Sequence, residues 1–207
     1  MPASAGMVIL TPRLMLRPMC GSDLMQFAEY AGASDAAFGK VLPAPSSSDL
    51  LLRFDMLVMR TLRGLATGSE VYLGAFARSG GQLVGQCWLS DIEAALPVIC
   101  TNKPACCTIP SACCTMGWAV RPDWQGRGLG YEMCAHLQQH AFAVLPGGLA
   151  MEQLRALILA DNVRSVRLAE RLGFAKTNEA SSQLLIENRL RAHDMYWCHV
   201  RARGAGG

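Results

Sequence analysis

The sequence predicts an α+β fold in which strands and helices alternate within one domain, and three observations predict it. Two β-rich runs, Val71 to Arg78 and Gln82 to Glu93, flank a Gly-containing turn, which is typical of an antiparallel hairpin. An apolar run that ends at Val120 leads through a glycine-rich stretch into residues with helical periodicity. A second apolar run of strand length, Met151 to Ala160, is again followed by a helix with a cap at each end. A hairpin followed by strand–helix pairs indicates a mixed sheet.

Caps, chain breakers and periodicity predict the other elements. Gly32 is expected to end the first helix, and residues 33–45 to form the loop before the second. The predicted strands are Thr11 to Met19, Cys113 to Val120, Ala175 to Ser182 and Ala192 to Val200; the predicted helices run from Ser22 or Asp23 to about Tyr30, from Ser46–Asp49 to about Arg63, from Gly128 to about Leu145 and from Asn162 to Leu172.

Length and composition suit one soluble domain. A chain of 207 residues with 51% hydrophobic content can bury a sizeable core, and we expect one domain over residues 8–202 with disordered tails at 1–7 and 203–207. The net charge of +3 is slight and the basic residues are scattered, so nucleic-acid binding is not indicated. The first residues show no basic region followed by an apolar core, so no secretory leader is expected, and no apolar run approaches the ~18 residues of a membrane span. We therefore expect a cytoplasmic monomer or homodimer.

The nine cysteines are expected to stay reduced, because their number is odd and no secretory signal precedes them. Their spacing lacks the paired CxxC pattern of a structural zinc site, so no metal is predicted. Residues 94–112 contain three prolines and are longer than most loops, which predicts an insertion beside the active site. The cysteines in or next to this loop are Cys100, Cys106, Cys107, Cys113 and Cys114.

Two further sets of polar residues have functional and structural interpretations. Asp91 and Glu93 close the hairpin two residues apart, hence on one face of a strand, where a carboxylate could act as a general base or simply be solvated. Glu132, His136 and His140 recur every four residues along a helix. They lie away from its apolar stripe, so we interpret them as a solvated face rather than a metal site.

Gln125 to Gly130, QGRGLG, is the most informative stretch of the chain. Between a strand and a helix, its successive N–H groups can turn inward at the helix N-terminus, where unpaired donors and the helix dipole favour an anion. Glycine supplies the positive φ or close approach that such a loop needs. No Gly-Lys-Ser/Thr follows, as a P-loop requires, and the spacing GxGxG differs from the dinucleotide GxGxxG. The stretch therefore predicts a phosphate cradle of another kind.

The cradle resembles Gln/Arg-x-x-Gly-x-Gly/Ala, the pyrophosphate signature of the GNAT superfamily of acyl-CoA-dependent N-acyltransferases, at Gln125, Gly128 and Gly130. The run Asn162 to Phe174 resembles a second segment of that family, Asn-x-x-Ser/Ala-x-x-x-x-Glu/Lys-x-x-Gly-Phe. Thr11 to Pro18 resembles the opening of the branch that acetylates ribosomal-protein N-termini. The resemblance implies a GNAT-like fold, with a strongly twisted sheet of six to seven strands and about four helices, and acetyl-CoA as acyl donor.

The resemblance also implies where the donor binds. The outer backbone of the strand ending at Val120 would hydrogen-bond the pantetheine arm, and the N–H of Val120 would stabilise the oxyanion. Ser165 would assist departure of the thiolate, although it could equally be a small packing residue. The residues implied to bind the cofactor are Trp118, Ala119, Val120, Gln125, Gly126, Arg127, Gly128, Leu129, Gly130 and Asn162; those implied in catalysis are Ser165 and Asn162.

The sequence departs from the family pattern at two places. Where the related branch often has Glu before an apolar-Gly-aromatic run, this chain has Thr115, and where many members place a tyrosine acid it has Ala169. We therefore expect an N-acetyltransferase that acts by direct attack of a primary amine on the thioester. A protein or peptide N-terminus is the preferred acceptor, with a small amine such as an antibiotic or polyamine as the alternative. A non-catalytic CoA-binding regulator is a further possibility.

Overall fold

The computed structural model describes residues 7–38, 47–93, 112–144, 148–177, 182–186 and 189–199. Within these ranges the chain forms a mixed sheet with helices, which confirms the predicted fold class. The strands are β1 (Ile9–Leu10), β2 (Leu14–Arg17), β3 (Val71–Ala77), β4 (Leu83–Glu93), β5 (Cys113–Val120), β6 (Gln153–Leu159), β7 (Ala175–Lys176), β8 (Ser182–Ile186) and β9 (Arg189–His199); the helices are α1 (Leu24–Phe38), α2 (Ser47–Thr67), α3 (Leu129–Phe142) and α4 (Val163–Arg171).

The sheet has the order β1-β2-β3-β4-β5-β6-β9-β7, with β8 also paired to β9. In the described part of the chain every pair is antiparallel except β5 with β6. Nine strands are present there rather than six to seven, partly because the predicted first strand is a short hairpin. Its turn is set by Thr11, whose N–H donates to the carbonyl of Leu14 at 2.9 Å and whose hydroxyl oxygen accepts the N–H of Leu14 at 2.8 Å.

The helices pack on opposite faces of the sheet, around two apolar clusters. Adjacent residues of β3 show the division, since successive side chains of a strand point to opposite faces. Phe76 belongs to the cluster of α1 and α2, whereas Ala75 and Ala77 belong to the cluster of α3 and α4. Each face of the central strands is therefore covered by a different helix pair, and the functional regions described below lie on both faces.

Two helix ends differ from the prediction. Helix α1 continues through Gly32 to Phe38, because the alanines around Gly32 favour helix by more than one glycine costs, about 1 kcal/mol. Residues 33–38 are thus helical rather than loop, and residues 39–45 lie outside the described ranges. Helix α2 runs past Arg63 to Thr67 and ends at Gly68, which has φ +70°.

Candidate active site

A gap opens in the sheet between the two parallel strands. β5 and β6 pair over only three residues, from Cys113 with Gln153 to Thr115 with Arg155. Beyond this point β5 follows β4 to Val120, while β6 follows β9 to Leu159. The two strands therefore diverge, and each presents an edge to the gap along its C-terminal half.

The backbone of β5 offers hydrogen-bonding groups to this gap. The N–H of Arg121 donates to the carbonyl of Val84 on β4 at 2.9 Å. Because bonded and non-bonded positions alternate along an antiparallel ladder, the backbone of Ala119 also bonds to β4, while Trp118 and Val120 direct theirs into the gap. Of the three residues expected on this strand, two are placed to bond a ligand through the backbone, and Ala119 is not.

The QGRGLG loop closes the wide end of the gap with unpaired N–H groups. No N–H from Gly126 to Tyr131 donates to another residue of the described ranges. Gly126 and Gly128 have φ +76° and +77°, which the loop requires and which glycine adopts without strain. Gly128 is the N-cap residue of α3, so the first-turn N–H groups and the positive end of the helix dipole add to the same cradle.

Two arginines flank the cradle and point in different directions. Arg164, in the first turn of α4, donates from Nη1 to Oε1 of Gln125 at 2.7 Å, and Nε2 of Gln125 donates to the carbonyl of Val120 at 2.9 Å. Gln125 therefore connects the end of β5 to α4 across the gap. The guanidinium of Arg127 instead lies over the ring of Trp124, on the side of the loop that faces β2 and β3. Of these two arginines, Arg164 is the one on the gap side. The sequence predicted Arg127, and not Arg164, as a binding residue.

Helix α4 begins at the wide end of the gap, shortly after β6 ends at Leu159. Asn162 is its N-cap, and its Oδ1 accepts the N–H of Ser165 at 3.1 Å, which leaves the amide N–H₂ of Asn162 and the hydroxyl of Ser165 at the helix start. Both residues are partly exposed. Ala169 is fully buried, so a tyrosine at this position could not be accommodated without repacking of the core.

The narrow end of the gap carries a charged cluster on the face of α1 and α2. Nε of Arg155 donates to the Thr115 hydroxyl at 2.7 Å, and Nη2 lies 3.9 Å from a carboxylate oxygen of Asp91 and 3.6 Å from one of Glu93. Both carboxylates thus lie on one side of β4, as expected, but the strand there is not regular: its pairing shifts between Ser90 and Glu93, and Asp91 has φ +50°. The irregularity nevertheless brings both carboxylates to one arginine.

An aromatic layer lies next to this cluster. A Cβ on Gly117 would lie 2.2 Å from the indole of Trp88, so only glycine allows Trp88 to cover β5 here. Trp88 stacks on Tyr72 with ring centroids 5.9 Å apart, and the guanidinium of Arg60 lies 4.7 Å from the centre of the Tyr72 ring. Arg60 is itself held by Glu70, at 2.7 and 3.0 Å.

Glu132 does not lie on a solvated helix face, as the periodicity predicted, but is buried against the β1–β2 turn. One carboxylate oxygen accepts the Thr11 hydroxyl at 2.5 Å and the N–H of Arg13 at 2.7 Å; the other accepts Nε of Arg13 at 2.7 Å. Burial raises the pKa of Glu132, but these hydrogen bonds outweigh it and the net pKa is lowered. Glu132 is therefore an ionised residue that holds the start of β2 against α3.

The cysteines of the central strand are packing residues. Cys113 and Cys114 are buried in β5, and burial raises the pKa of the Cys114 thiol to about 12, so this thiol stays protonated at neutral pH. Cys100, Cys106, Cys107 and the rest of the predicted insertion at 94–111 lie outside the described residues. Within the described ranges, no group of three or more His, Cys, Asp and Glu could hold a metal ion.

A parallel strand pair diverges onto a loop of unpaired N–H groups and forms a cleft suited to a phosphate-bearing ligand, with a carboxylate–arginine cluster at its closed end. The chain belongs to the acetyltransferase (GNAT) domain family, whose model matches residues 13–175. The resemblance found in the sequence is thereby confirmed, and the protein is an acetyltransferase of this family.

Several solved structures share the fold at low sequence identity. The ribosomal-protein-S5-alanine acetyltransferase from Vibrio fischeri matches with TM-score 0.74 and 14% identity, covering 94% of this chain and 97% of that one. The ribosomal α-N-protein acetyltransferase RimL, in complex with coenzyme A, matches with TM-score 0.71, 16% identity and coverage of 94% and 98%. The microcin C7 self-immunity acetyltransferase MccE, in complex with acetyl-CoA and AMP, matches with TM-score 0.71, 12% identity and coverage of 91% and 93%.

No curated protein matches the chain significantly. Across the described residues, no helix combines the length and the apolar character that crossing a bilayer requires.

Proposed function

We propose that the protein transfers the acetyl group of acetyl-CoA to a primary amine, with a protein or peptide N-terminus as the preferred acceptor. The observation that carries this proposal is the gap between β5 and β6, which offers the backbone of Trp118 and Val120 along one edge and unpaired N–H groups from Gly126 to Tyr131 at its mouth. An extended pantetheine arm suits the strand edge, and a diphosphate suits the N–H groups.

The donor site in this proposal consists of the residues expected from the sequence, except the backbone of Ala119 and the side chain of Arg127, together with Arg164. Gln125 to Gly130 and the first turn of α3 bind the diphosphate through backbone N–H groups, and Arg164 adds a positive charge from the opposite side of the gap. Gln125 positions Arg164 by the 2.7 Å hydrogen bond and is a positioning residue in this role. Asn162 fixes the first turn of α4 next to the thioester.

The reaction is a direct transfer between two bound molecules. The neutral amine attacks the thioester carbonyl carbon, a carbon–nitrogen bond forms, and the carbon–sulfur bond breaks to release a thiolate. The N–H of Val120 points into the gap and can stabilise the developing oxyanion, while the Ser165 hydroxyl can donate to the leaving sulfur. The proton lost by the amine passes to a carboxylate or to water, and finally to the thiolate.

The cluster at the closed end of the gap is the best candidate for the acceptor side. Asp91 and Glu93 give two negative charges against the single positive charge of Arg155, so the cluster favours a cationic amine. Either carboxylate can also take the proton of that amine, directly or through water. This replaces the acid that the central strand lacks at Thr115.

An N-terminus is preferred over a small amine on two grounds. The opening Thr11 to Pro18 resembles the ribosomal-protein branch, and two similar folds, at 14% and 16% identity, are ribosomal-protein acetyltransferases by name. MccE, with the same fold, carries acetyl-CoA and AMP, and this keeps a small acceptor as the second candidate.

The test is a side-by-side measurement of coenzyme A release with N-terminal peptides, amino-blocked copies of the same peptides, polyamines and aminoglycosides. We expect release with free N-termini and none with the blocked peptides. Release with small amines alone would replace the preferred acceptor by the second candidate. Binding of acetyl-CoA with no release of coenzyme A for any amine would instead favour a non-catalytic regulator. This candidate stays open because Thr115 and Ala169 stand where the family often has a glutamate and a tyrosine.

A further inference from the structure

A pocket of about 660 Å³ lies on the side of the QGRGLG loop opposite the gap, between three turns of the chain. Its cationic residues are Arg13 from the β1–β2 turn, Arg78 from the β3–β4 turn and Arg127 from the loop itself. The other lining residues are Pro12, Leu14, Ala77, Ser79, Trp124 and Leu129. The pocket therefore combines three guanidinium groups with a largely apolar lining and one indole ring. We call it the arginine pocket.

Two of its three positive charges lack a carboxylate partner among the described residues. Arg13 is paired with Glu132 at 2.7 Å. Arg78 donates instead to the carbonyls of Thr11 and Pro12, at 2.9 and 3.2 Å, and Arg127 donates to the carbonyl of Asp123 at 3.0 Å. Hydrogen bonds to neutral carbonyls fix the direction of a guanidinium without cancelling its charge. The pocket thus keeps about two net positive charges.

The arrangement is fixed by a buried residue. Glu132 binds both the backbone and the side chain of Arg13, and Nη1 of Arg13 in turn donates to the carbonyl of Arg127 at 2.9 Å. The β1–β2 turn and the loop are therefore tied together at the edge of the pocket. A site whose cations are held in place before binding loses less side-chain entropy when an anion arrives.

We propose that the arginine pocket binds a phosphomonoester attached to a flat or apolar group. Two uncompensated guanidinium groups match the double negative charge of a phosphomonoester better than a single carboxylate, and guanidinium forks bind phosphate oxygens in pairs. Trp124 and the apolar lining suit a nucleoside. The phosphate can come from the 3′ position of coenzyme A, in which case the inference extends the proposed donor site, or from a separate nucleotide.

Calorimetry on the full chain separates the two sources. The ligands are coenzyme A, dephospho-CoA, which lacks only the 3′-phosphate, and 3′-AMP added in the presence of saturating dephospho-CoA. The variant is Arg78→Gln, because Arg78 bonds only main-chain carbonyls in the described contacts. Arg167→Gln, on the exposed surface of α4, is the matched control for loss of one charge.

If the 3′-phosphate of coenzyme A is the ligand, dephospho-CoA binds the wild type about tenfold more weakly than coenzyme A, and Arg78→Gln narrows this ratio to about twofold. If a separate nucleotide is the ligand, both donors bind equally and Arg78→Gln weakens 3′-AMP about tenfold. In both cases Arg167→Gln behaves as the wild type.

The proposal is overturned if Arg78→Gln changes neither the donor ratio nor the affinity for 3′-AMP. It is also overturned if Arg167→Gln produces the same change, because the effect would then be one of net charge. A wild type that binds neither donor contradicts the proposed function instead. In that case 3′-AMP is titrated without a donor, and its dependence on Arg78 still tests the pocket.

Discussion

The two halves of the proposed active site are built from different chemical groups. The proposed donor half consists of main-chain N–H groups from Gly126 to Tyr131 and of the edge of β5 at Trp118 and Val120. The proposed acceptor half consists of side chains, with Asp91, Glu93 and Arg155 as its charged members. Main-chain groups are common to all sequences that keep the backbone path, whereas side chains change with each substitution. The donor half can therefore remain constant while acceptor preference varies around it.

Gly128→Glu should have the largest effect of these variants, and that effect should be a loss of donor binding alone. Gly128 has φ +77°, a Cβ added there lies 3.5 Å from Nη2 of Arg13, and the glutamate brings a negative charge to the proposed anion site. We expect affinity for coenzyme A to fall at least ~100-fold, measured by calorimetry. Gly126→Ala, with φ +76° and open space around the new Cβ, isolates the backbone cost, about 1–2 kcal/mol. If Gly128→Glu binds coenzyme A with wild-type affinity, the loop is not part of the donor site.

Asp91→Asn combined with Glu93→Gln should have the opposite effect: turnover should fall while donor binding is kept. If either carboxylate accepts the amine proton, turnover should fall on the order of 100-fold while affinity for coenzyme A stays within about twofold. The measurement is kcat from coenzyme A release, beside a binding isotherm for each variant. Glu152→Gln, an exposed carboxylate change elsewhere, is the control. Unchanged turnover in the double variant would leave water as the proton acceptor.

Ser165→Ala tests whether a donor-side residue can act on chemistry rather than binding. Loss of one hydrogen bond to the leaving sulfur should lower kcat about tenfold, with KM for the acceptor and affinity for acetyl-CoA unchanged. The amide of Asn162 still caps α4 through the main-chain N–H of residue 165, so the melting temperature should not fall. A purely structural Ser165 would show the reverse pattern, with wild-type kcat and altered stability.

Arg164→Gln should weaken the binding of coenzyme A about fivefold, because an exposed charge contributes at most roughly 1 kcal/mol. The weakening should shrink at high salt, and it should be absent with pantetheine fragments that carry no phosphate. Arg167→Gln, one turn further along α4, should bind as the wild type does. An equal loss with pantetheine alone would show that Arg164 shapes the gap rather than binding phosphate.

Glu132→Gln should have the smallest effect on catalysis but a measurable effect on stability. Its lowered pKa means that the native state favours the ionised form, so its contribution is present above the ordinary Glu pKa of about 4.3 and is lost as the pH falls through the lower native value. At pH 7 we expect the free energy of unfolding to drop by about 1–2 kcal/mol, and the difference from wild type to be smaller at about pH 4, below the ordinary Glu pKa. Urea unfolding at both pH values checks this. A pH-independent difference would mean that ionisation is irrelevant.

The sequence predicted the conformation of the QGRGLG loop and the ends of α4 well, because both depend on local features. Glycines at positive φ, a strand before them and a helix after them are all visible within twenty residues, and Asn162 with Gly173 delimits α4 in the same way. Contacts between distant segments were not predictable. Glu132 lies off the apolar stripe of its own helix, and only the β1–β2 turn, 121 residues away at Thr11, buries it.

The acceptor half was harder to predict for the same reason. The irregularity at Asp91 leaves no local sequence signal, and the approach of both carboxylates to Arg155 depends on the pairing of β4, β5 and β6. Arg164 was missed because helical periodicity indicates only an exposed position, and its partner Gln125 lies 39 residues away in the sequence.

The packing of Trp88 over Gly117 also gives the protein an intrinsic optical probe. This indole lies one strand from the divergence of β5 and β6, stacked on Tyr72, and it is one of four tryptophans in the chain. Its emission depends on the polarity and charge within a few ångströms, so a peptide amine that reaches Asp91 and Glu93 should change its intensity or wavelength. Acceptor binding can then be followed in stopped flow without a label, and separated in time from the chemical step that follows it.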